Sequence, residues 1–304
     1  MAAAAAAGQV DADTFRRLYP DDYLRKFVEQ GLRPDGRPLA AARPTSIGLG
    51  AVSTTDASAL VKVGSTTALA GVKCEVVPAL PEAPDAGRLV VQVEMAPLCS
   101  ATTRPGRPSE GAQVLTEQLS ALLGSVVDAR QLCIDAGKVA WAVYVDIYVL
   151  DADGSLHDAC LLAALAALSS LRLRAVSIDE SGRVQTGAAA AAAQQQQQGE
   201  RPAGQQERRL ALSCQPVSLT CGLYRGRLLA DPTAEEEPLL EAQATATLDE
   251  SGAVLGFAAG GTAAVGQIVV VQCLEAAKMR GKEVRAMLQQ ALEQAGLAAD
   301  ADAS

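Results

Sequence analysis

The sequence predicts an α+β protein with an internal duplication. Two observations carry this reading. A block of strand-like runs followed by helical runs occurs twice along the chain. Between the two occurrences lies a low-complexity tract at 185–207, QTGAAAAAAQQQQQGERPAGQQE. That tract has too few bulky apolar groups to offset the entropy of ordering, so it is expected to be a flexible surface insertion.

The elements follow in order. DTFRRLYPDDYLRKFVEQ (13–30) predicts a helical lead-in, with Asp21 or Asp22 available as a cap and Tyr23, Leu24, Phe27 and Val28 on one face. GLRPDGRPL is a turn segment marked by Gly, Pro and Asp-Gly, in which Arg33 and Arg37 fix the N-terminal segment or pair with acids. SALVKVG (58–64) and TALAGVKCEV (67–76) are strands, and Gly64-Ser65 between them predicts a hairpin. RLVVQVEM (88–95) is a third strand. SATTRPGRPSEGAQ (100–113) is a loop that runs into an amphipathic helix at 109–128. KVAWAVYVDIYVLD (138–151) is a long strand, and a helix at 155–171 follows it. The second half carries strand candidates at 174–179, 210–224, 226–231, 244–250 and 253–259, then two helices at 262–278 and 282–296. The expected division is an N-terminal extension (1–19), a first half (20–184), the insertion (185–207), a second half (208–296) and a C-terminal tail (297–304).

Composition narrows the function. Hydrophobic residues make up 49% and aromatics 3%, so the core must be built from Ala, Val and Leu, with few rings to stack on bases. The formal net charge of −9 argues against a whole-surface nucleic-acid binder, because phosphate neutralisation needs cations. Any RNA contact should use a local patch or belong to an assembly. The seven cysteines are scattered without a CxxC, as expected of buried free thiols, and with one histidine a Cys/His zinc site is set aside. No cofactor is called for. MAAAAAAGQV lacks a basic n-region, and the apolar run at 159–168 is about half a membrane span, so a soluble intracellular protein is expected.

DADGSLHDACLLAALAAL (151–168) holds the lone histidine, His157, beside Asp158 and just ahead of the apolar run. The DADG turn lacks the remaining ligands of a calcium loop. No GxSxG elbow accompanies His157, which sets a serine hydrolase aside.

LRPDGRPL, SALVKVGSTTALAGVKCEV, EMAPLCS and CIDAGKVAWAVYVDIYVLDADGSLHDACLLAALAAL, in that order, resemble the RNase PH family. Within it they look most like the ring subunits of the eukaryotic RNA exosome, and PLCS, GKxAW and DGxxxDAC resemble one non-catalytic subunit type. The likeness is strong from about 20 to 173 and weaker from 208 to 292. It implies a duplicated RNase PH-like fold of the ribosomal protein S5 domain 2-like type, with mixed or antiparallel sheets and helices packed against them. It also implies a heterohexameric ring of RNase PH-like subunits, with cap proteins above and RNA through the central channel, working in nucleus, nucleolus and cytoplasm. Active members degrade RNA from the 3′ end with phosphate as the attacking group; other ring members are structural.

Phosphorolysis needs a bound phosphate, charge neutralisation and RNA held in line. Arginine and a helix N-terminus suit the phosphate. Where the resemblance implies Gly-Thr-Arg after the DG turn, this chain has Leu156 at the threonine position and His157 at the arginine position. Ser155 is expected to cap the helix, with Asp158 completing a capping-box-like pair. His157 reads as a polar residue of the first helical turn in preference to a phosphate ligand or general base. LLADPTAEEEP carries Asp231 and Glu237 where the family implies two aspartates near phosphate and a divalent ion. The competing reading, a helix start with Asp231 as N-cap and Pro232 at N1, is preferred. The loop Arg104-Pro105-Gly106-Arg107 offers Arg104 and Arg107 as RNA-phosphate contacts or as an ordinary solvated turn. The expected function is a non-catalytic exosome ring subunit. The alternatives are an active phosphate-dependent exoribonuclease using Asp231 and Glu237, and a stand-alone binding module.

Overall fold

The computed structural model describes residues 12–99, 109–178, 184–186 and 208–296. Helix α1 (Ala12–Leu18) and helix α2 (Pro20–Glu29) replace the single lead-in helix. The break is at Tyr19 (φ −131°, ψ 63°), where the following proline disfavours helical backbone and itself takes the first position of α2. Neither aspartate caps α2; both lie in its first turn, and Asp21 accepts from the Tyr224 hydroxyl (2.7 Å) instead.

The first sheet takes shape around a hairpin. Strands β2 (Ala57–Val63) and β3 (Thr66–Pro78) are joined by Gly64-Ser65, and Gly64 supplies the positive φ (59°) that this turn needs. An edge strand β1 (Thr45–Leu49), absent from the sequence reading, pairs with β2. It alternates between half-buried Thr45, Ile47 and Leu49 and exposed Ser46 and Gly48, a short run whose glycines weaken the strand signal. β4 (Arg88–Met95) pairs parallel to β6 (Val139–Asp151), and a short β5 (Cys133–Asp135) also pairs with β6. The order β1-β2-β3-β6-β4 is therefore a mixed sheet.

Helix α3 (Glu110–Val126) starts at Ser109, whose side chain accepts from Ala112 N–H (3.1 Å), and packs on β4. Helix α4 (Leu156–Ser170) is buried from Ala159 to Leu168 without a polar face. A helix apolar on every side belongs in a core, and α4 lies against β1, β2, β3 and β6 on one side and the second sheet on the other. Its alanines let both sheets approach closely.

Two ribbons follow: β7 (Arg172–Leu173), which pairs with β10 (Arg208–Arg209), and β8 (Val176–Ile178), which pairs with β9 (Val184–Thr186). The expected strand at 210–224 is thus confined to β11 (Val217–Tyr224), after a bend at Ser213 and an irregular stretch at 214–216. With β12 (Arg227–Ala230), β13 (Ala242–Leu248) and β14 (Val254–Gly261) it forms an antiparallel sheet of order β12-β11-β13-β14. One 28-residue helix, α5 (Gln267–Gln294), replaces the two expected helices. Gly281 does not stop it; a Cβ there would meet the Arg285 guanidinium at 3.0 Å, which instead reaches Leu248 O (2.9 Å) and Gln215 O (3.1 Å).

One hydrophobic core spans both halves: Val284 and Leu288 of α5 and Val217 of β11 join the cluster built around α4. Cys99, Cys160, Cys221 and Cys273 are buried as expected, whereas Cys74, Cys133 and Cys214 are half-buried. Except for its first two residues, which belong to β9, the Ala/Gln tract lies outside the described residues. No described helix is long and apolar enough to cross a membrane.

Because α4 is held between two sheets, enlarging it should be costly. Ala163→Leu, at a fully buried position, is expected to destabilise by about 1–3 kcal/mol through overpacking, read as a lower urea midpoint; an unchanged midpoint would show that the two sheets do not close on the helix.

Candidate functional site

Three distant segments meet at the N-terminus of α4: the turn and linker at 31–44, the β6–α4 turn at 152–155, and the loop after β12 at 231–237. Arginines hold them together. Arg33 is fully buried. Its guanidinium grips both carboxylate oxygens of Glu236, with Nε at 2.9 Å from Oε1, and its remaining donors reach the carbonyls of Ala230 and Asp231 (3.1 Å to the latter). Arg43 is also buried and grips Asp231 in the same bidentate way: Nε to Oδ2 at 2.9 Å and Nη2 to Oδ1 at 2.7 Å. Its backbone N–H adds a 2.7 Å bond to Oδ2. The remaining donors meet Asp153 (Oδ2 at 3.2 Å), Gly154 O (3.1 Å) and Thr66 Oγ1 (3.3 Å). Arg37 pairs with Asp35 and also stands 3.5 Å from Asp231 Oδ2.

Burial alone would raise the Asp231 carboxyl, but the hydrogen bonds and charge of Arg43 outweigh it and hold the group below the ordinary aspartate range. The backbone there is unusual. Asp231 has φ +51° and Ser155 φ +49°, both left-handed, and Gly154 has φ +77°. A Cβ on Gly154 would lie 2.4 Å from Pro232 O, so the two loops touch backbone to backbone.

This geometry corrects two expectations. Asp231 is not a helix cap: no α-helix follows it, only a turn and a short 3₁₀ segment (Glu237–Leu239). The buried pairing with Arg43 claims the side chain that capping would use. Ser155 and Asp158 do not form a capping box either. Ser155 makes no side-chain cap bond; its hydroxyl donates to Pro232 O (3.1 Å), while Asp158 accepts from Thr220 N–H of β11 (2.7 Å). The left-handed conformation of Ser155 turns its hydroxyl toward the 231–237 loop instead of the helix.

The N–H of Ser155 points instead at Glu237, whose Oε1 accepts at 2.9 Å and also receives Gln243 Nε2 at 3.3 Å. Burial pushes the Glu237 carboxyl upward, against these hydrogen bonds and the charge of Arg43. His157 is the second residue of α4 and faces β11, with Nδ1 3.3 Å from Ser218 Oγ and 3.9 Å from Asp158 Oδ1. The three positions singled out in the sequence thus lie around one helix end but do not converge. Asp231 faces Arg43, Glu237 faces the Ser155 N–H and His157 faces Ser218. A divalent ion does not fit: both Asp231 oxygens are held by Arg43, and no group of three His, Cys, Asp or Glu among the described residues is arranged to bind a metal. Arg104 and Arg107 lie outside the described residues.

Sequence reasoning missed Arg43, Asp153 and Glu236. Arg43 stands in an unremarkable AARPT segment, 188 positions before its partner, and no local pattern marks such a pair. Arg33 was read as pairing with acids, and the structure supplies Glu236.

Comparisons with known proteins agree with this architecture. Residues 41–174 match the 3′ exoribonuclease family, domain 1, and residues 214–294 match its domain 2. The Methanopyrus kandleri protein named exosome complex component Rrp42 is 30% identical, covering 91% of this chain and 97% of that one. The Schizosaccharomyces pombe protein named exosome complex component rrp43 is 30% identical, covering 88% and 94%. Among solved structures, a chain of the Archaeoglobus fulgidus exosome with RNA bound to the active site superposes with a TM-score of 0.73 at 28% identity, covering 88% of this chain and 96% of that one.

Asp231→Asn keeps the shape and removes the charge opposite Arg43, so it should cost about 3–5 kcal/mol at pH 7, the range for breaking a buried pair. The folded carboxyl titrates below its unfolded value of about 3.9, so its contribution is present above that pH and lost as pH falls through the lowered value. Urea denaturation of the two proteins should therefore differ fully at about pH 5 and converge as pH is lowered below about 4 and on through the lowered value. A gap independent of pH would show that the charge is not what holds the loop.

Proposed function

The chain belongs to the RNase PH family of 3′ exoribonucleases, and we propose that within it this chain is a non-catalytic subunit of the RNA exosome core ring. One observation carries the loss of catalysis. The acidic positions where the family implies phosphate and metal chemistry are engaged by the protein's own groups: Asp231 by Arg43, and Glu237 by the N–H of Ser155.

Physical reasons make that exchange consequential. A helix N-terminus attracts anions through its free N–H groups and dipole. Here the carboxylate of Glu237 is already on the entering N–H, with Asp153 and Asp158 close by. A phosphate would meet negative charge on several sides, and among the described residues no uncommitted arginine replaces the one the family implies at His157. Arg43, which reaches this helix end, is buried and engaged by Asp231 and Asp153.

In this reading the chain completes a heterohexamer of RNase PH-like subunits beneath cap proteins, and carries part of the wall of a channel through which RNA passes. It thereby supports 3′-to-5′ processing and degradation, including ribosomal RNA maturation and messenger RNA turnover, in nucleus, nucleolus and cytoplasm. The relatives named exosome components support this, as does the likeness to an exosome chain over most of both lengths. Arg104 and Arg107 are the proposed contacts to RNA phosphates. The division at 20–184 and 208–296, with the tract between them outside the shared fold, belongs to the same proposal.

A ring in which this chain is the sole member with unaltered acidic positions should release no nucleoside diphosphate from RNA when phosphate is added. Phosphate-stimulated release that disappears in Asp231→Ala would overturn the reading in favour of an active exoribonuclease.

A further inference from the structure

The chain has a formal net charge of −9, yet four of its 26 Lys and Arg residues fall in two short segments, LRLR (171–174) and RR (208–209). These segments hold β7 and β10, which pair antiparallel with Arg209 directly opposite Arg172 and Arg208 opposite Leu173. Residues directly opposite in an antiparallel pair share a face, and like charges placed so destabilise the pairing. One of the two residue pairs in this ribbon is therefore repulsive, and the packing of the fold supplies no reason for it.

Burial sorts the arginines. Leu171, Leu173 and Ala175 are buried while Arg172 and Arg174 are exposed, so both arginines point outward. Arg209, across from Arg172, is half-buried. Arg208 takes the inner side with Leu173, and its guanidinium donates to the carbonyls of Gln131 and Cys133. Gln131 adds a second brace, its Oε1 accepting from Ala211 N–H at 3.1 Å. The ribbon is thus fixed to the first half and presents Arg172, Arg174 and Arg209 on its outer side. Arg174 pairs with Asp56, but its side chain stays 63% exposed. Arg172 has no ion-pair partner among the described residues. The ribbon begins just past the C-terminus of α4, the end at which a helix dipole favours cations. Across the 15 residues of α4 it stands about 22 Å from the helix entrance occupied by Glu237, so it is a separate place on the molecule.

We propose that this ribbon binds the phosphate backbone of a nucleic-acid strand, with Arg172 and Arg209 clasping one phosphate and Arg174 meeting the next. A tetrahedral phosphate presents oxygens to two guanidinium forks at once, whereas a planar carboxylate matches one fork. An anion between Arg172 and Arg209 turns their repulsion into a clasp. Three outward arginines call for successive phosphates, which a nucleic-acid strand supplies and a singly phosphorylated peptide does not. No Phe, Trp or Tyr occurs from 149 to 223, so these segments offer no ring for stacking and the contact carries no base readout. The inference is independent of the ring-subunit reading, because it stands on the ribbon alone.

The test is fluorescence anisotropy of labelled oligouridine and oligodeoxythymidine titrated with the full-length chain between about 50 and 200 mM salt. Phosphate contacts do not distinguish the two sugars, so both strands should bind alike. The double variant Arg172→Gln, Arg209→Gln should bind at least about tenfold more weakly at the lower salt, and its log affinity should fall with log salt on a slope shallower by about 1.4, from two contacts at about 0.7 each. Its urea midpoint should equal or exceed that of the natural chain, because the repulsive pair is gone. The single variant Arg172→Gln, at an exposed position, should lower the slope by about half as much. A natural chain that does not bind, a double variant with unchanged affinity and slope, or an oligoglutamate of matched charge that binds as tightly as oligouridine would overturn the inference. Loss of binding in Arg104→Gln, Arg107→Gln without loss in the ribbon variants would also overturn it, while leaving the loop contacts standing.

Discussion

Two arginine–carboxylate pairs, Arg33 with Glu236 and Arg43 with Asp231, are the constraint on which the rest depends. All four side chains are essentially buried. A charge in that position is stable only if paired and fully hydrogen-bonded, and removing one partner costs more than the pair itself contributes. The donors of Arg43 reach Asp231, Asp153, Gly154 and Thr66, which belong to three different segments of chain. The start of α4 is therefore set both by contacts between the two halves, Arg43–Asp231 and Arg33–Glu236, and by the bonds of Arg43 to Thr66, Asp153 and Gly154 within the first half. The left-handed turns at Ser155 and Asp231 and the close approach at Gly154 follow from loops drawn together by these pairs.

The same pairs decide the chemistry. A site for phosphate needs cations with donors to spare and N–H groups facing solvent. Here the cations are used structurally, and the N–H at the helix entrance is covered by Glu237. His157, the residue most suggestive of catalysis by type, turns to Ser218 on the neighbouring strand. The arrangement suits the proposed role of a subunit that shapes a channel and meets neighbours.

Much of the fold was legible in the sequence because its signals are local. The apolar run of α4, the Gly64-Ser65 hairpin and the strand at 88–95 each declare themselves within a dozen residues. Errors arose where distant contacts override local rules. Asp-Pro at 231–232 has the look of a helix start, and Ser155 with Asp158 that of a capping box, yet the partners that claim these side chains lie 62 to 188 positions away. Gly281 resembles a helix stop, but the space it leaves is filled by Arg285. Tyr19-Pro20 was a missed local signal, since the proline alone was enough to split the first helix.

The central claim is that the chain's own carboxylates and arginines have closed the anion seat at the start of α4. Equilibrium titration of the purified full-length protein with inorganic phosphate, followed by phosphorus NMR or calorimetry, tests it most directly. No saturable binding is expected at millimolar phosphate. Saturable binding that is abolished by changing Ser155 or Glu237 would contradict it.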